Sequence, residues 1–156
     1  MTLNVGDIAP EFNLYDSDKN KVSLSESKGQ TRLLLFFPLA FTSVCTDELC
    51  GVRDDIGFYR DHNVHVMAIS VDSLFTLAKF KEEIKIDFPL ISDFNKETSL
   101  NYDSLHQSFA YEMKGVSKRS VYIIDKIGTI RYVEILENPS EVPNFEAIKE
   151  VIASLK

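Results

Sequence analysis

The sequence predicts an α/β protein: a central mixed β-sheet flanked by helices, with a β-hairpin added at the N-terminal end. Two runs, RLLLFF (Arg32–Phe37) and VHVMAISV (Val64–Val71), are apolar on consecutive positions, as strands buried on both faces of a sheet are. Between them Cys45, Leu49, Val52, Ile56 and Tyr59 recur at spacings of 4, 3, 4 and 3, the apolar stripe of one amphipathic helix. Towards the C-terminus, SVYIID and TIRYVEIL flank the short link KIG, which favours an antiparallel hairpin and makes the sheet mixed.

The other elements follow in order. FNLYDSDKNKVSL reads as two short strands around a polar turn. Asp72 or Ser73 can cap a helix carrying Leu74, Leu77, Ala78 and Ile84, and FPLIS reads as a short strand. From Asp93 to Lys118 the periodicity is lost, leaving a helical turn near Thr98 to Tyr102 and a long loop. A last helix presents Phe145, Ile148, Ile152 and Leu155. No repeat or Pro/Gly/Ser-rich linker divides the chain, so residues 1–156 read as one domain. This order fits a thioredoxin-like α/β fold carrying an N-terminal hairpin. Periodicity alone does not separate it from other three-layer α/β folds.

Composition narrows the function. A chain of 156 residues with 44% hydrophobic and 26% charged residues is an ordinary globular protein that needs no disulfide staples. Its net charge of −7 offers no basic face to phosphate backbones or anionic lipid, so nucleic acid and membrane are set aside as partners. The opening MTLNVGDIAPEF lacks a charged and then apolar leader pattern, which makes the cytoplasm the expected compartment. In a reducing compartment a lone cysteine pair, here Cys45 and Cys50, is reactive or incidental more often than structural.

Thr42 stands at the N-cap position of the helix after the central strand, which makes Cys45 its third residue. Unpaired N–H groups and the positive end of the helix dipole favour a thiolate there, so Cys45 is a candidate nucleophile. Asp47 and Glu48 oppose a further negative charge, and a cation must come from elsewhere. Arg53 lies about 12 Å along the helix and is too far. Arg119, at the entrance to SVYIID, is better placed, with Lys118 and Arg32 as alternatives. Cys50 lies about 140° round an ideal helix from Cys45, with the Cα atoms about 8.7 Å apart. A disulfide needs less than about 7 Å, so the pair can bond only after the first turns unwind. Gly51 either eases that unwinding or serves close packing against a neighbour.

PLAFTSVC reproduces the P-x-x-x-T-x-x-C active-site signature of the peroxiredoxins, as Pro38, Thr42 and Cys45, with Glu48 at the matching position beyond the cysteine. VGDIAPEFNL resembles the family's opening segment, and RSVYIIDKIGTIRY its strand that begins with the active-site arginine. The resemblance implies a thioredoxin-like fold and thiol-dependent reduction of hydrogen peroxide and organic hydroperoxides. Cys45 would be the peroxidatic cysteine, and Thr42 would hydrogen-bond the peroxide and thiolate. Arg119 would polarise the breaking O–O bond, Pro38 would shield the sulfur, and Glu48 would orient the arginine. A second cysteine at this spacing resembles the Q-type or bacterioferritin-comigratory group, although the wording PLAFTSVC is closer to AhpE-like and typical AhpC/TSA sequences. There Cys50 would resolve the Cys45 sulfenic acid as an intramolecular disulfide, which a thioredoxin-like dithiol would reduce. The expected assembly is a monomer or homodimer, and no cofactor or metal is expected.

Other patterns carry less. DSDKN matches only half of a calcium loop, since Lys21 replaces the required glycine and Ser27 the closing glutamate, and it reads as a polar turn. His62 and His65 lack companions for a metal site and read as surface residues of a helix-to-strand connection. Zinc on Cys45 and Cys50 would need two more soft ligands, and NPS at 138–140 is excluded as a glycosylation site by its proline. Phe36, Phe37 and Phe41 read as core, with Phe41 also able to line the peroxide's approach. Two other functions compete: a peroxide sensor or redox relay that passes its disulfide to a partner, and a general dithiol oxidoreductase. The second usually employs C-x-x-C, and this spacing is C-x-x-x-x-C.

Overall fold

The structure is a computed structural model that describes residues 3–155; Met1, Thr2 and Lys156, the ends of the expected 1–156 span, lie outside the described residues. Its centre is β3 (Thr31–Phe36), buried at every position, paired in parallel with β4 (Val64–Ser70). β5 (Leu90–Ser92) extends the parallel part beyond β4. On the other side of β3 runs β8 (Arg119–Ile124), antiparallel to it and joined in a hairpin to β9 (Ile130–Leu136). The N-terminal hairpin, β1 (Asn13–Asp16) and β2 (Lys21–Ser23), adds its first strand antiparallel to β5. The sheet order is therefore β2-β1-β5-β4-β3-β8-β9, mixed as expected.

Alternation along the strands divides the core between the two faces. Leu33, Leu35, Val121 and Ile123 meet α1 (Ser43–Asp54), α2 (Ile56–Asp61), α3 (Leu74–Ile84) and α5 (Phe145–Ser154) on one face. Leu34, Phe36, Met67, Ile69, Tyr122 and Ile124 form the other core, with Phe12 and Leu24 from the N-terminal segment and Tyr102 from the end of α4 (Glu97–Asn101). Among the described residues no helix is long and apolar enough to cross a membrane.

Local chemistry sets the turns. In the β8–β9 turn Asp125 Oδ1 accepts the N–H groups of Ile127, Gly128 and Thr129, and Gly128 takes the left-handed φ of 102° that the turn requires. In DSDKN, Asp16 Oδ1 accepts from Asp18 and Asn20 and closes the polar turn.

Three expectations are corrected, and the choice of cap for α3 is settled. The stripe from Cys45 to Tyr59 is not one helix: α1 ends at Asp54, its cap Asp55 leaves helical geometry with φ −101° and ψ 15°, and α2 continues the same buried face. Lys149 holds the Asp55 carboxylate at 2.6 Å, so a C-terminal contact accompanies the break. The cap of α3 is Ser73, whose hydroxyl accepts from Thr76 N–H, while Asp72 turns back towards the loop after β3. The 103–118 loop holds a two-stranded ribbon, β6 (Leu105–His106) and β7 (Val116–Ser117), secured by buried Ser99–Ser117 and Ser104–Ser120 hydroxyl pairs. His62 is exposed at the end of α2, but His65 is the second residue of β4 and half-buried.

Candidate active site

The chain leaves β3 through Phe37, whose N–H still bonds to Ile69, and then Pro38, which is buried. The loop turns sharply at Phe41, where φ is 69°, an uncommon conformation for a side chain of that bulk. Two contacts hold it. The Phe41 ring lies 5.1 Å from that of Phe80, and Asp72 Oδ2 accepts the Ala40 N–H at 2.8 Å and the Ser70 hydroxyl at 2.7 Å.

Thr42 has the extended backbone of an N-cap, and its carbonyl accepts the Thr46 N–H that opens α1. Its hydroxyl makes no cap bond; it donates instead to the Leu39 carbonyl at 3.0 Å. Cys45 is the third residue of α1 and fully buried, placed in the turn where a helix leaves N–H groups unpaired.

The cation is Arg119, the first residue of β8 and 1% exposed. Its Nη2 lies 3.3 Å from Cys45 Sγ, its Nη1 donates to Glu48 Oε1 at 2.6 Å, and its Nη2 and Nε both point at the Pro139 carbonyl. One planar guanidinium thus joins two residues of α1 and the loop after β9. Burial alone would lower the Arg119 pKa, but the Cys45 sulfur and the Glu48 carboxylate outweigh it and hold the guanidinium above its ordinary value. Glu48 goes the other way from most paired acids: burial pushes its carboxyl up to about 7, with Arg119 pulling against it. Its second oxygen, Oε2, is buried without a partner among the described residues.

Cys50 is half-buried further along α1, and both cysteines are free thiols. A Cβ added at Gly51 would meet nothing within 4 Å, so close packing does not explain that glycine. The geometry therefore unites Cys45, Glu48 and Arg119, places Pro38 and Thr42 on the loop beside them, and leaves Cys50 as a separate thiol on the same helix. Lys118 pairs with Glu137 instead, and Arg32 donates to Leu24 and Asp125 carbonyls far along the sheet. Two contributors escaped the sequence: Asp72, an acid at the end of a strand beside the loop of the central strand, and Pro139, which acts through its backbone oxygen and has no side-chain signature.

A thiol set at a helix start beside a buried guanidinium can act as a nucleophile towards a polarisable bond. The comparisons with known proteins agree in family. The AhpC/TSA family pattern matches residues 5–133. Alkyl hydroperoxide reductase E of Mycobacterium tuberculosis is 33% identical over 98% of this chain and 98% of its own. Peroxiredoxin Bcp of Escherichia coli is 34% identical over 84% of this chain and 85% of its own. Among solved structures, a peroxiredoxin-like protein from Aquifex aeolicus superimposes with a TM-score of 0.90 at 27% identity, covering 100% of this chain and 90% of that one. Peroxidoxin BcpB from Mycobacterium tuberculosis shares the fold with a TM-score of 0.87 at 24% identity over 99% of both chains. With a pattern that reaches from the segment before the N-terminal hairpin into β9, around a buried cysteine and its arginine, the chain belongs to the AhpC/TSA family and is a peroxidase of the oxidoreductase class.

Proposed function

We propose that this chain, acting as one domain, reduces hydrogen peroxide and small organic hydroperoxides through Cys45 and resolves the product through Cys50. The observation that carries the reading is the single Arg119 guanidinium shared between Cys45 Sγ and Glu48. The Cys45 thiolate attacks the terminal oxygen of the peroxide; the S–O bond forms, the O–O bond breaks, and the departing oxygen takes up a proton. Negative charge moves from sulfur to that oxygen, so fixed donors aimed at it lower the barrier without rearranging. Arg119 supplies those donors, while the Thr42 hydroxyl, its proton given to the Leu39 carbonyl, accepts a hydrogen bond from the peroxide's O–H. Pro38 keeps water from the sulfur, and Glu48 fixes the guanidinium plane.

Cys50 then attacks the sulfenic acid on Cys45, giving an intramolecular disulfide and protecting Cys45 from overoxidation. A thioredoxin-like dithiol returns both thiols in the reducing cytoplasm, with the protein as monomer or homodimer.

Rapid mixing of peroxide with wild type, Cys45→Ser and Cys50→Ser tests the scheme. Cys45→Ser is expected to lose peroxide consumption; consumption at the wild-type rate sinks the assignment of the nucleophile. Mass spectrometry after one equivalent of peroxide is expected to find a Cys45–Cys50 bond within one chain. A persistent sulfenic or sulfinic acid on Cys45 with Cys50 still free rejects the resolving step.

A further inference from the structure

Glu48 lies between the two cysteines in sequence and is fully buried on α1. Oε1 is held by Arg119, but Oε2 has no hydrogen-bond partner among the described residues. A half-satisfied buried carboxylate carries a desolvation cost that its ion pair offsets only in part. The groups that act on it are Arg119 on β8, which also holds Cys45 on its own helix, and Glu134 on β9, a second negative charge that adds to its burden. Burial is the largest influence and pushes the carboxyl up to about 7. The cost vanishes when the helix opens and the carboxylate meets water.

We propose that ionised Glu48 is a spring whose release drives the unwinding of the first turns of α1 and so sets the rate at which Cys50 reaches the oxidised Cys45. The inference rests on the resolving role proposed for Cys50. Conversion of Cys45 to a neutral sulfenic acid removes the thiolate charge from Arg119 and frees the sulfur's end of the clamp, while the burial of Glu48 is unchanged. Unwinding relieves it. The Cys50 thiolate then attacks Cys45 Sγ: the S–S bond forms, the S–O bond breaks, and hydroxide leaves as water with the proton Cys50 gave up. The Cys50 sulfur rises to the disulfide level as the Cys45 sulfur falls to it. A second peroxide molecule competes by taking the sulfenic acid to sulfinic acid, so slower unwinding means more overoxidation.

The sign follows from linkage. A carboxyl whose pKa is about 7 in the closed helix and near its ordinary 4.5 in the open one favours closure while protonated and opening once ionised. Glu48→Gln keeps the shape and the bond to Arg119 without the charge. The experiment follows the peroxide-independent, first-order phase after rapid mixing, together with the sulfinic fraction of Cys45, across the pH range. At about pH 8 the variant is expected to resolve roughly tenfold more slowly than wild type, about 1.4 kcal/mol of barrier, and to overoxidise more. Below about pH 5.5 the two rates are expected to converge. Equal rates at both pH values, or a faster variant, overturn the spring; general loosening of the helix would speed the variant and so gives the opposite sign. Cys50→Ser, run alongside, is expected to lose the first-order phase. If it keeps that phase, the resolving role itself falls, an outcome distinct from failure of the spring.

Discussion

Arg119 Nη2 reaches Cys45 Sγ at 3.3 Å across 74 positions of sequence, from the first residue of an antiparallel strand to the third residue of a helix. On the proposed mechanism, replacing Arg119 by Met removes the donors for the departing oxygen, and the second-order peroxide rate is expected to fall by roughly 100- to 1,000-fold. It also leaves Glu48 buried without its cation, which costs about 3 to 5 kcal/mol of stability. The double variant Arg119→Met with Glu48→Gln is expected to recover much of the stability, by thermal unfolding, and none of the activity. Recovery of both would mean that Arg119 serves the fold alone.

Asp72 braces the loop that carries Pro38 and Thr42. Asp72→Ala leaves the Ala40 N–H without its acceptor and frees a turn that holds Phe41 at a φ of 69°. A buried donor left unpaired costs about 1 to 3 kcal/mol. The peroxide rate is expected to drop by about tenfold for about 1.4 kcal/mol of lost positioning. An unchanged rate would show that the turn is held by the tilted Phe41–Phe80 ring contact instead.

Gly51→Ala separates the two chemical steps. An interior glycine costs a helix about 1 kcal/mol relative to alanine, and a Cβ there finds open space within 4 Å. The melting temperature is expected to rise, oxidation of Cys45 to keep its rate, and disulfide formation to slow by about fivefold. Resolution at an unaltered rate in the more stable variant would show that α1 does not unwind around Cys50.

Glu48 also leaves a mark on stability as a function of pH. Because its folded pKa of about 7 lies above the ordinary 4.5, its contribution to stability is full below about 4.5 and is lost as pH rises through 7. In chemical denaturation at a series of pH values, wild type is expected to lose stability over that window relative to Glu48→Gln. A constant difference between the two proteins from about pH 4.5 to pH 8 would place the carboxyl's titration elsewhere.

The legible parts of this protein are those written in consecutive or periodic side chains. RLLLFF and VHVMAISV became β3 and β4 because strands covered on both faces admit nothing but apolar residues. The pairing of Cys45 with Arg119 was within reach because a thiol at a helix start followed by two acids, Asp47 and Glu48, calls for a cation. The break at Asp55 was hidden, since Ile56 and Tyr59 keep the stripe in register across it. β6 and β7 hold two residues each, too few for any period to register. The Thr42 hydroxyl turns to Leu39, and the Pro139 carbonyl bonds to Arg119; both depend on where the backbone runs in three dimensions.

The separation of Cys45 from its arginine also has a consequence during synthesis. A ribosome adding about 5 to 20 residues per second needs roughly 4 to 15 seconds to travel from one to the other. Through that interval the nascent chain carries a cysteine with no guanidinium beside it, because β8 has not been made. The guanidinium takes its place beside Cys45 only when the β8–β9 hairpin docks on β3, so a truncated or stalled chain lacks that contact.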